Sequence, residues 1–190
     1  MSFLKTLLPL YAVVLPALAG SPGLKNFHQV DQNLYRGGQP TKEGFGELVK
    51  MGVKTVVDLR EAGKRSLKEA SVVAAAGMRY VNVPMSGLTP PTPGEIAKIL
   101  GILEDQGAGA VFVHCQRGAD RTGAVIAAYR IDHDHWENSR ALSEATALGM
   151  SFFQLPRKNF ILGFQAPAIE AQAAASGATL APATLAPSTR

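Results

Sequence analysis

The sequence predicts an α/β fold in which a mostly parallel central sheet carries helices on both faces. Short apolar runs alternate along the chain with amphipathic segments, and strand–helix alternation of this kind is typical of a parallel sheet. The runs are apolar at consecutive positions, as in Val56-Val57 and Val111-Phe112-Val113, which indicates strands that are covered on both sides. With 190 residues, 46% of them hydrophobic and 18% charged, the chain is long enough for one ordinary globular domain.

The first half of the chain is predicted to contain three strands and two helices. Thr41 is a good cap for the first helix, Val56-Val57 forms the buried centre of the second strand, and Gly77 suits the end of the second helix. The predicted elements, in order, are a strand at 33–36, a helix at 41–50, a strand at 54–59, a helix at 67–76 and a strand at 79–83.

The second half is predicted to contain one more strand and four helices. Pro93 suits the first turn of a helix whose apolar face includes Ile96 and Leu100, and the apolar run before Cys115 is a buried strand. The predicted elements are helices at 92–105, 122–131, 137–148 and 156–164, and a strand at 110–113. Phe152 and Phe153 are predicted to lie in the core.

The two ends are predicted to lie outside the folded domain. Residues 1–19 combine Lys5, an apolar run and Ala17-Leu18-Ala19, which together indicate a secretory signal peptide cleaved after Ala19; an uncleaved membrane anchor is the alternative. The protein is therefore expected to be exported, periplasmic or secreted. Residues 20–165 form the domain, and residues 166–190, rich in Ala, Pro and Thr, are expected to be a disordered tail.

The segment from His114 to Gly123 carries the clearest chemical information. It holds the only cysteine, Cys115, with Arg121 six residues later and the hydroxyl of Thr122 directly after that. It also lies between a predicted strand and a predicted helix. Backbone N–H groups in such a loop converge on an anion, and the helix dipole favours negative charge there. The segment is therefore interpreted as a phosphate-binding loop with a thiolate at its base.

Each residue type in this loop suits nucleophilic catalysis on a phosphoryl group. Lowering the pKa of Cys115 would make it a thiolate. Arg121 can clamp two phosphoryl oxygens, and Thr122 can donate a hydrogen bond to the sulfur as it leaves. The backbone of the intervening residues would bind the remaining oxygens, with a glycine providing the turn; these residues are Gln116, Arg117, Gly118 and Ala119.

This loop resembles that of the protein tyrosine phosphatase superfamily, which has His-Cys, five residues, then Arg-Ser or Arg-Thr. The compact dual-specificity and atypical bacterial branches are most similar, and residues 33–40 and 55–60 resemble two early segments of those branches. The resemblance spans about residues 27–164. It implies a phosphatase fold, a phosphocysteine intermediate, no metal and no cofactor. It also implies a phosphorylated protein, phosphoinositide or inositol phosphate as substrate.

One departure from the family concerns the general acid. Most members carry an aspartate on a separate loop, here residues 82–92, and that stretch has no carboxylate before Glu95. Asp120, directly before Arg121, is the candidate for this general acid. Some lipid phosphatases and bacterial phosphatases of the superfamily have an aspartate at the same place, and the resemblance implies the same role here. The alternative is that Asp120 only pairs with Arg117 or with a loop amide.

Other strand ends supply weaker candidates. Arg60 and Lys64 follow a predicted strand and could hold additional phosphates, although a solvated charged connection is an equal alternative. Residues 36–39 could brace the pocket or form a plain turn. His133-Asp134-His135 lacks partners elsewhere for a metal site, and a polar helix end is favoured. The net charge of +4 and the scattered basic residues give no indication of a nucleic-acid surface.

Two functions from other classes remain open at this level. A rhodanese-like sulfurtransferase also places a cysteine at the base of an amide-lined loop, but it does not normally require the Arg121-Thr122 pair. A non-catalytic phosphate-binding module is the other alternative, and the joint presence of Cys115, Asp120 and Arg121 argues against it.

Overall fold

The computed structural model describes residues 21–166 and contains a single mixed sheet of mostly parallel strands. Four strands are parallel, and β1 is an antiparallel edge strand beside β2, in the spatial order β1-β2-β5-β3-β4. The strands are β1 (His28–Gln29), β2 (Leu34–Gly37), β3 (Val53–Asp58), β4 (Arg79–Asn82) and β5 (Ala110–His114). The predicted fold class is confirmed; β1 was not predicted, because two residues are too few to show a pattern.

Helices surround the sheet within residues 21–166. They are α1 (Lys42–Lys50), α2 (Lys64–Ala75), α3 (Pro93–Leu103), α4 (Asp120–Asp132), α5 (Asn138–Ala147) and α6 (Leu155–Gly163), with a 3-10 turn at Gln106–Ala108. α2 begins three residues earlier than the sequence predicted, because the Ser66 hydroxyl exchanges hydrogen bonds of 2.9 Å with the Gly63 backbone. α4 likewise begins at Asp120, two residues earlier than predicted.

The core lies on both sides of the sheet because successive strand residues point to opposite faces. Val111 and Val113 pack with α3 and α4, whereas Phe112, between them, packs with α1 and α2. A third cluster joins α4 to α5 and α6. α4 is therefore enclosed by the sheet on one side and by helices on the other, and nine of its residues are buried.

This architecture places the Cys115 loop at the carboxyl edge of the sheet, where β5 ends between β2 and β3. Ligands bind at this edge in open α/β sheets. None of the helices within 21–166 is long and apolar enough to cross a bilayer. The predicted signal peptide and the predicted tail lie outside the described residues, apart from Ala166 at the start of the tail.

The prediction that Phe152 and Phe153 lie in the core is wrong. Both side chains are exposed on the connection between α5 and α6, with their rings 3.7 Å apart between centroids. The core beneath this connection is filled by Met150 and Ile161 instead.

Candidate active site

The loop from Cys115 to Ala119 connects β5 to α4 and turns sharply at Gly118. Cys115 is only 2% exposed, while Gln116 and Arg117 face the solvent. Gly118 has a positive φ of 72°, and a Cβ there would lie 2.4 Å from the backbone of Gly37 and Gly38. A side chain at position 118 would therefore strain the backbone and push the loop away from β2.

The loop holds the Cys115 thiol in an environment that favours its ionised form. Burial by itself would raise the pKa of this thiol. Hydrogen bonds from the Thr122 side chain and backbone and from the Arg117 backbone outweigh burial, with help from the charge of Arg121, and hold the pKa below its ordinary value. The structure thus gives Cys115 the low pKa that a nucleophilic thiolate requires.

The hydroxyl of Thr122 lies close to the Cys115 sulfur and has no competing partner among the described residues. The Thr122 side chain is fully buried in the first turn of α4, and its presence there helps to lower the pKa of the Cys115 thiol. The hydroxyl makes no hydrogen bond to an oxygen or a nitrogen of residues 21–166. A donor beside the sulfur stabilises the thiolate form of Cys115.

Arg121 extends from α4 across the mouth of the loop. Its Nη1 lies 3.5 Å from the carbonyl oxygen of Leu59 and 3.4 Å from that of Met85, which are long hydrogen bonds at the ends of β3 and β4. The rest of the guanidinium faces a cleft of about 440 Å³ that also contains Gln116. The cleft is large enough for a phosphoryl group and part of its leaving group.

Asp120 is held by two partners at the start of α4. One carboxylate oxygen forms an ion pair with Arg117, and the other accepts a hydrogen bond of 2.9 Å from the Ser151 backbone amide. These two contacts are the ones expected if Asp120 only pairs with Arg117 or with a loop amide and is not the general acid. The Arg117 side chain is 63% exposed, so the ion pair can open without disturbing the core.

The other cleft candidates differ in their surroundings. Lys64 lines the cleft with Glu61 and Arg65, and its role as a phosphate ligand stays a prediction. The Arg60 guanidinium is instead buried between two carboxylates, 2.7 Å from Asp58 and 2.5 Å from Glu69. The Nε and Nη2 donors of Arg60 are engaged by these carboxylates, while Arg60 still lines the cleft, so its role as a phosphate ligand also stays a prediction.

Arg60 belongs to a buried polar network under the loop that sequence reasoning missed. Glu69 of α2 also lies 2.7 Å from Nε2 of His114, the residue before Cys115. Asp58, Glu69 and His114 place ligand atoms within 4.8 Å of one another, but the guanidinium of Arg60 already provides positive charge there. The available signal was that Glu69 occupies a buried helical position, three residues after Ser66 and four before Val73.

The carbonyl of Gly118 is held from behind by two residues. Arg36 donates from Nη2 at 2.8 Å and Asn26 donates from Nδ2 at 3.0 Å. Arg36 is 1% exposed, and its Nε and Nη1 have no hydrogen-bond partner within residues 21–166. Burial lowers its pKa to about 10, so the side chain stays charged at neutral pH beneath the loop. The structure therefore places Arg36 where it can brace the pocket.

Arg36→Met is expected to raise the pKa of Cys115, because a buried positive charge that attracts the thiolate is lost. The acid limb of iodoacetamide alkylation and of kcat/KM should move to higher pH by the same amount. Glu144 and Arg130 also act on Arg36 but are unchanged in this variant.

Two matched variants separate charge from geometry. Arg36→Lys keeps the charge, so its alkylation midpoint should stay near that of the wild type. Asn26→Ala removes the neutral hydrogen bond to Gly118, so it should weaken vanadate binding without moving the midpoint. An unchanged midpoint in Arg36→Met would show that Arg36 only holds the loop in place.

Comparison with known proteins identifies similar chains. A family model described as "DSP-PTPase phosphatase fused to NAD+ Kinase" matches residues 5–162. The chain is 30% identical over 123 residues to the dual specificity protein phosphatase TpbA of Pseudomonas aeruginosa, a match that covers 63% of this chain and 52% of TpbA. It is 29% identical over 108 residues to the probable chloroplastic NAD kinase 2 of Oryza sativa subsp. japonica, covering 54% of this chain but only 11% of that protein.

A similar fold occurs among solved structures. The core catalytic domain of the PP-IP phosphatase SIW14 from S. cerevisiae superposes with a TM-score of 0.67 and 22% identity, covering 80% of this chain and 93% of that domain. At this identity the likeness establishes the fold. The match thus spans about half the length of TpbA and a small part of the NAD kinase, but nearly all of the solved SIW14 catalytic domain.

Proposed function

Because the chain belongs to the family of DSP-PTPase phosphatases, whose model covers residues 5–162, we propose that it hydrolyses phosphate monoesters through a phosphocysteine intermediate. The observation that carries the proposal is the lowered pKa of the buried Cys115 thiol, with Thr122 on the sulfur and Arg121 at the mouth of the same loop. A thiolate beside an arginine clamp is an arrangement suited to in-line attack on phosphorus.

The first step transfers the phosphoryl group to the enzyme. Cys115 Sγ donates an electron pair to phosphorus, the bond between phosphorus and the ester oxygen breaks, and the leaving oxygen takes a proton from Asp120. Arg121 and the loop amides neutralise charge on the equatorial oxygens. In the second step water attacks phosphorus and gives its proton to Asp120. The sulfur then leaves as a thiolate that accepts a hydrogen bond from Thr122, and inorganic phosphate is released.

The substrate is proposed to be dual-specificity-like, a phosphoprotein, a phosphoinositide or an inositol phosphate. The cleft supports an anionic substrate, because Lys64 and Arg65 lie beside Arg121 and Glu61 supplies the only carboxylate among the described lining residues. TpbA carries the name of a dual-specificity phosphatase and SIW14 that of a PP-IP phosphatase, so both substrate types occur among similar proteins. Within residues 21–166, no arrangement of side chains favours the sulfurtransferase or the binding module over this function.

Rapid mixing with p-nitrophenyl phosphate tests the proposal. We expect a burst of p-nitrophenolate equal to the enzyme concentration if breakdown of phosphocysteine is slower than its formation, followed by steady release of phosphate. Vanadate should inhibit competitively, and a chelator should have no effect. Release of phosphate that a chelator abolishes, or no release at all, would contradict the proposed chemistry. A parallel assay with thiosulfate and cyanide tests the sulfurtransferase alternative, which would produce thiocyanate and sulfite.

A further inference from the structure

Four large apolar side chains project into solvent beside the catalytic loop. Leu88 is 82% exposed, Phe152 69%, Phe153 75% and Leu155 62%. These residues, here called the apolar rim, are four of the seven large apolar residues that stand exposed in the part of the chain that the structure describes. A concentration of exposed apolar side chains at one place marks an interaction surface.

A buried arginine joins the two loops that carry the apolar rim. Arg157, fully buried in α6, donates from Nη1 to the Gly87 carbonyl at 3.1 Å and to the Gln154 side chain, and from Nη2 to the Ser86 carbonyl. Leu88 directly follows Gly87, and Phe153 and Leu155 lie on either side of Gln154. The apolar rim is therefore presented as one fixed unit rather than by two independent loops.

The apolar rim also adjoins the nucleophile's loop. The backbone amide of Ser151 donates to Asp120 at 2.9 Å, and Phe152 is the next residue. Asp120 in turn precedes Arg121, which faces the cleft. Whatever the apolar rim contacts will consequently lie at the mouth where the phosphoryl group enters.

The cleft and the catalytic loop add exposed positive charge to the same mouth. Lys64 and Arg65 line the cleft, and Lys68 follows one turn later on α2; Arg117 also projects from the loop, where it pairs with Asp120. Glu61 is the one carboxylate among the described residues that line the cleft. Phenylalanine and leucine together with lysine and arginine form the composition of surfaces that bind to anionic membranes.

We propose that the apolar rim seats the enzyme on an anionic phospholipid surface, so that its substrate is a phosphate monoester presented by that surface. The inference rests on the proposed function, because it places the phosphoryl group at Cys115. A bilayer fits better than a peptide held in the cleft, since these four side chains protrude into solvent and are not among the residues that line the cleft. Insertion at the headgroup level requires no complementary shape, and anionic headgroups match the cations around the cleft.

Fluorescence of the full chain tests the contact itself. Trp136 is the only tryptophan, and its ring lies under Arg130 and Arg140, with their guanidinium carbons 4.5 Å and 3.6 Å from the ring centre. In Phe153→Trp, the added indole should shift to the blue and be quenched by vesicles of phosphatidylcholine and phosphatidylglycerol with brominated acyl chains. The wild type, which reports Trp136 alone, should change little. No quenching of the added indole, or equal quenching of Trp136, would overturn the proposal.

Kinetics test the consequence for the substrate. The double variant Phe152→Ser/Phe153→Ser should lose at least about tenfold of its activity on phosphatidylinositol phosphates in the same vesicles, while hydrolysis of p-nitrophenyl phosphate stays unchanged. Val49→Ser, which removes an exposed apolar side chain on α1, is the matched control and should retain both activities.

Each other kinetic outcome is also decisive. Membrane docking would be overturned if the double variant lost activity equally on both substrates, lost none on either, or lost activity selectively on a phosphopeptide. It would also be overturned if a wild type active on p-nitrophenyl phosphate did not hydrolyse the lipid. Failure of the wild type on p-nitrophenyl phosphate would instead refute the proposed function, and the fluorescence measurement would still decide the membrane contact.

Discussion

Cys115→Ser is expected to reduce hydrolysis of p-nitrophenyl phosphate by roughly 10⁴-fold or more, as removal of a catalytic nucleophile does in other enzymes. A serine hydroxyl at neutral pH is far less nucleophilic than a thiolate, and this loop has no histidine placed to deprotonate it, since His114 is directed at Glu69. Steady-state kinetics measure the loss.

Binding of the anion should survive in the same variant. The loop amides, Arg121 and Thr122 are unchanged, so the variant should bind phosphate or tungstate with an affinity close to that of the wild type when measured by calorimetry. Because Cys115 is the only cysteine, the variant also removes every thiol, and alkylation provides a check on its purity. Activity within a few fold of the wild type would eliminate Cys115 as the nucleophile. Loss of both binding and thermal stability would mean that the sulfur mainly supports the fold.

The position of the Cys115 loop between β5 and α4 could be predicted from sequence because its contacts are local. Cys115, Arg121 and Thr122 lie within eight consecutive residues, and a strand before them and a helix after them determine how the loop closes. The helices were predictable for a similar reason: Thr41 caps α1, and Thr92 with Glu95 forms the capping box of α3. These signals act over three or four residues, which is the range that a single sequence reveals.

The supporting residues could not be predicted with the same ease, because their partners are distant in the chain. Arg36 meets the Gly118 carbonyl across 82 residues, and Asn26 meets it across 92. Arg60 was predicted to lie at the cleft, but no local pattern indicated that Glu69 of α2 forms an ion pair with it. Composition also misplaced Phe152 and Phe153, because hydrophobicity predicts burial and does not show which apolar residues remain on the surface.

Asp120→Asn is expected to slow hydrolysis of alkyl phosphates by at least about a hundredfold, because general acid catalysis contributes about 10² to 10⁴ in rate. An alkoxide is a poor leaving group and needs the proton. The loss on p-nitrophenyl phosphate should be much smaller, since p-nitrophenolate leaves without one. In the free enzyme the Asp120 carboxylate is held by Arg117 and the Ser151 amide. A substrate phosphoryl group that attracts the exposed Arg117 would free one oxygen of Asp120 to take up a proton from solvent, and the resulting carboxylic acid would give that proton to the leaving group.

Two other carboxylates serve as controls for this assignment. Glu61 lines the cleft and is the nearer rival, whereas Glu95 accepts hydrogen bonds of 2.6 Å and 2.8 Å from the Thr92 backbone and hydroxyl in the cap of α3. Neither Glu61→Gln nor Glu95→Gln should change the ratio of alkyl to aryl phosphate hydrolysis. Equal losses on both substrates in Asp120→Asn would show that Asp120 shapes the loop through Arg117 and Ser151. A loss in Glu61→Gln confined to alkyl phosphates would transfer the general acid to Glu61, because the proton must come from a carboxyl group that reaches the cleft.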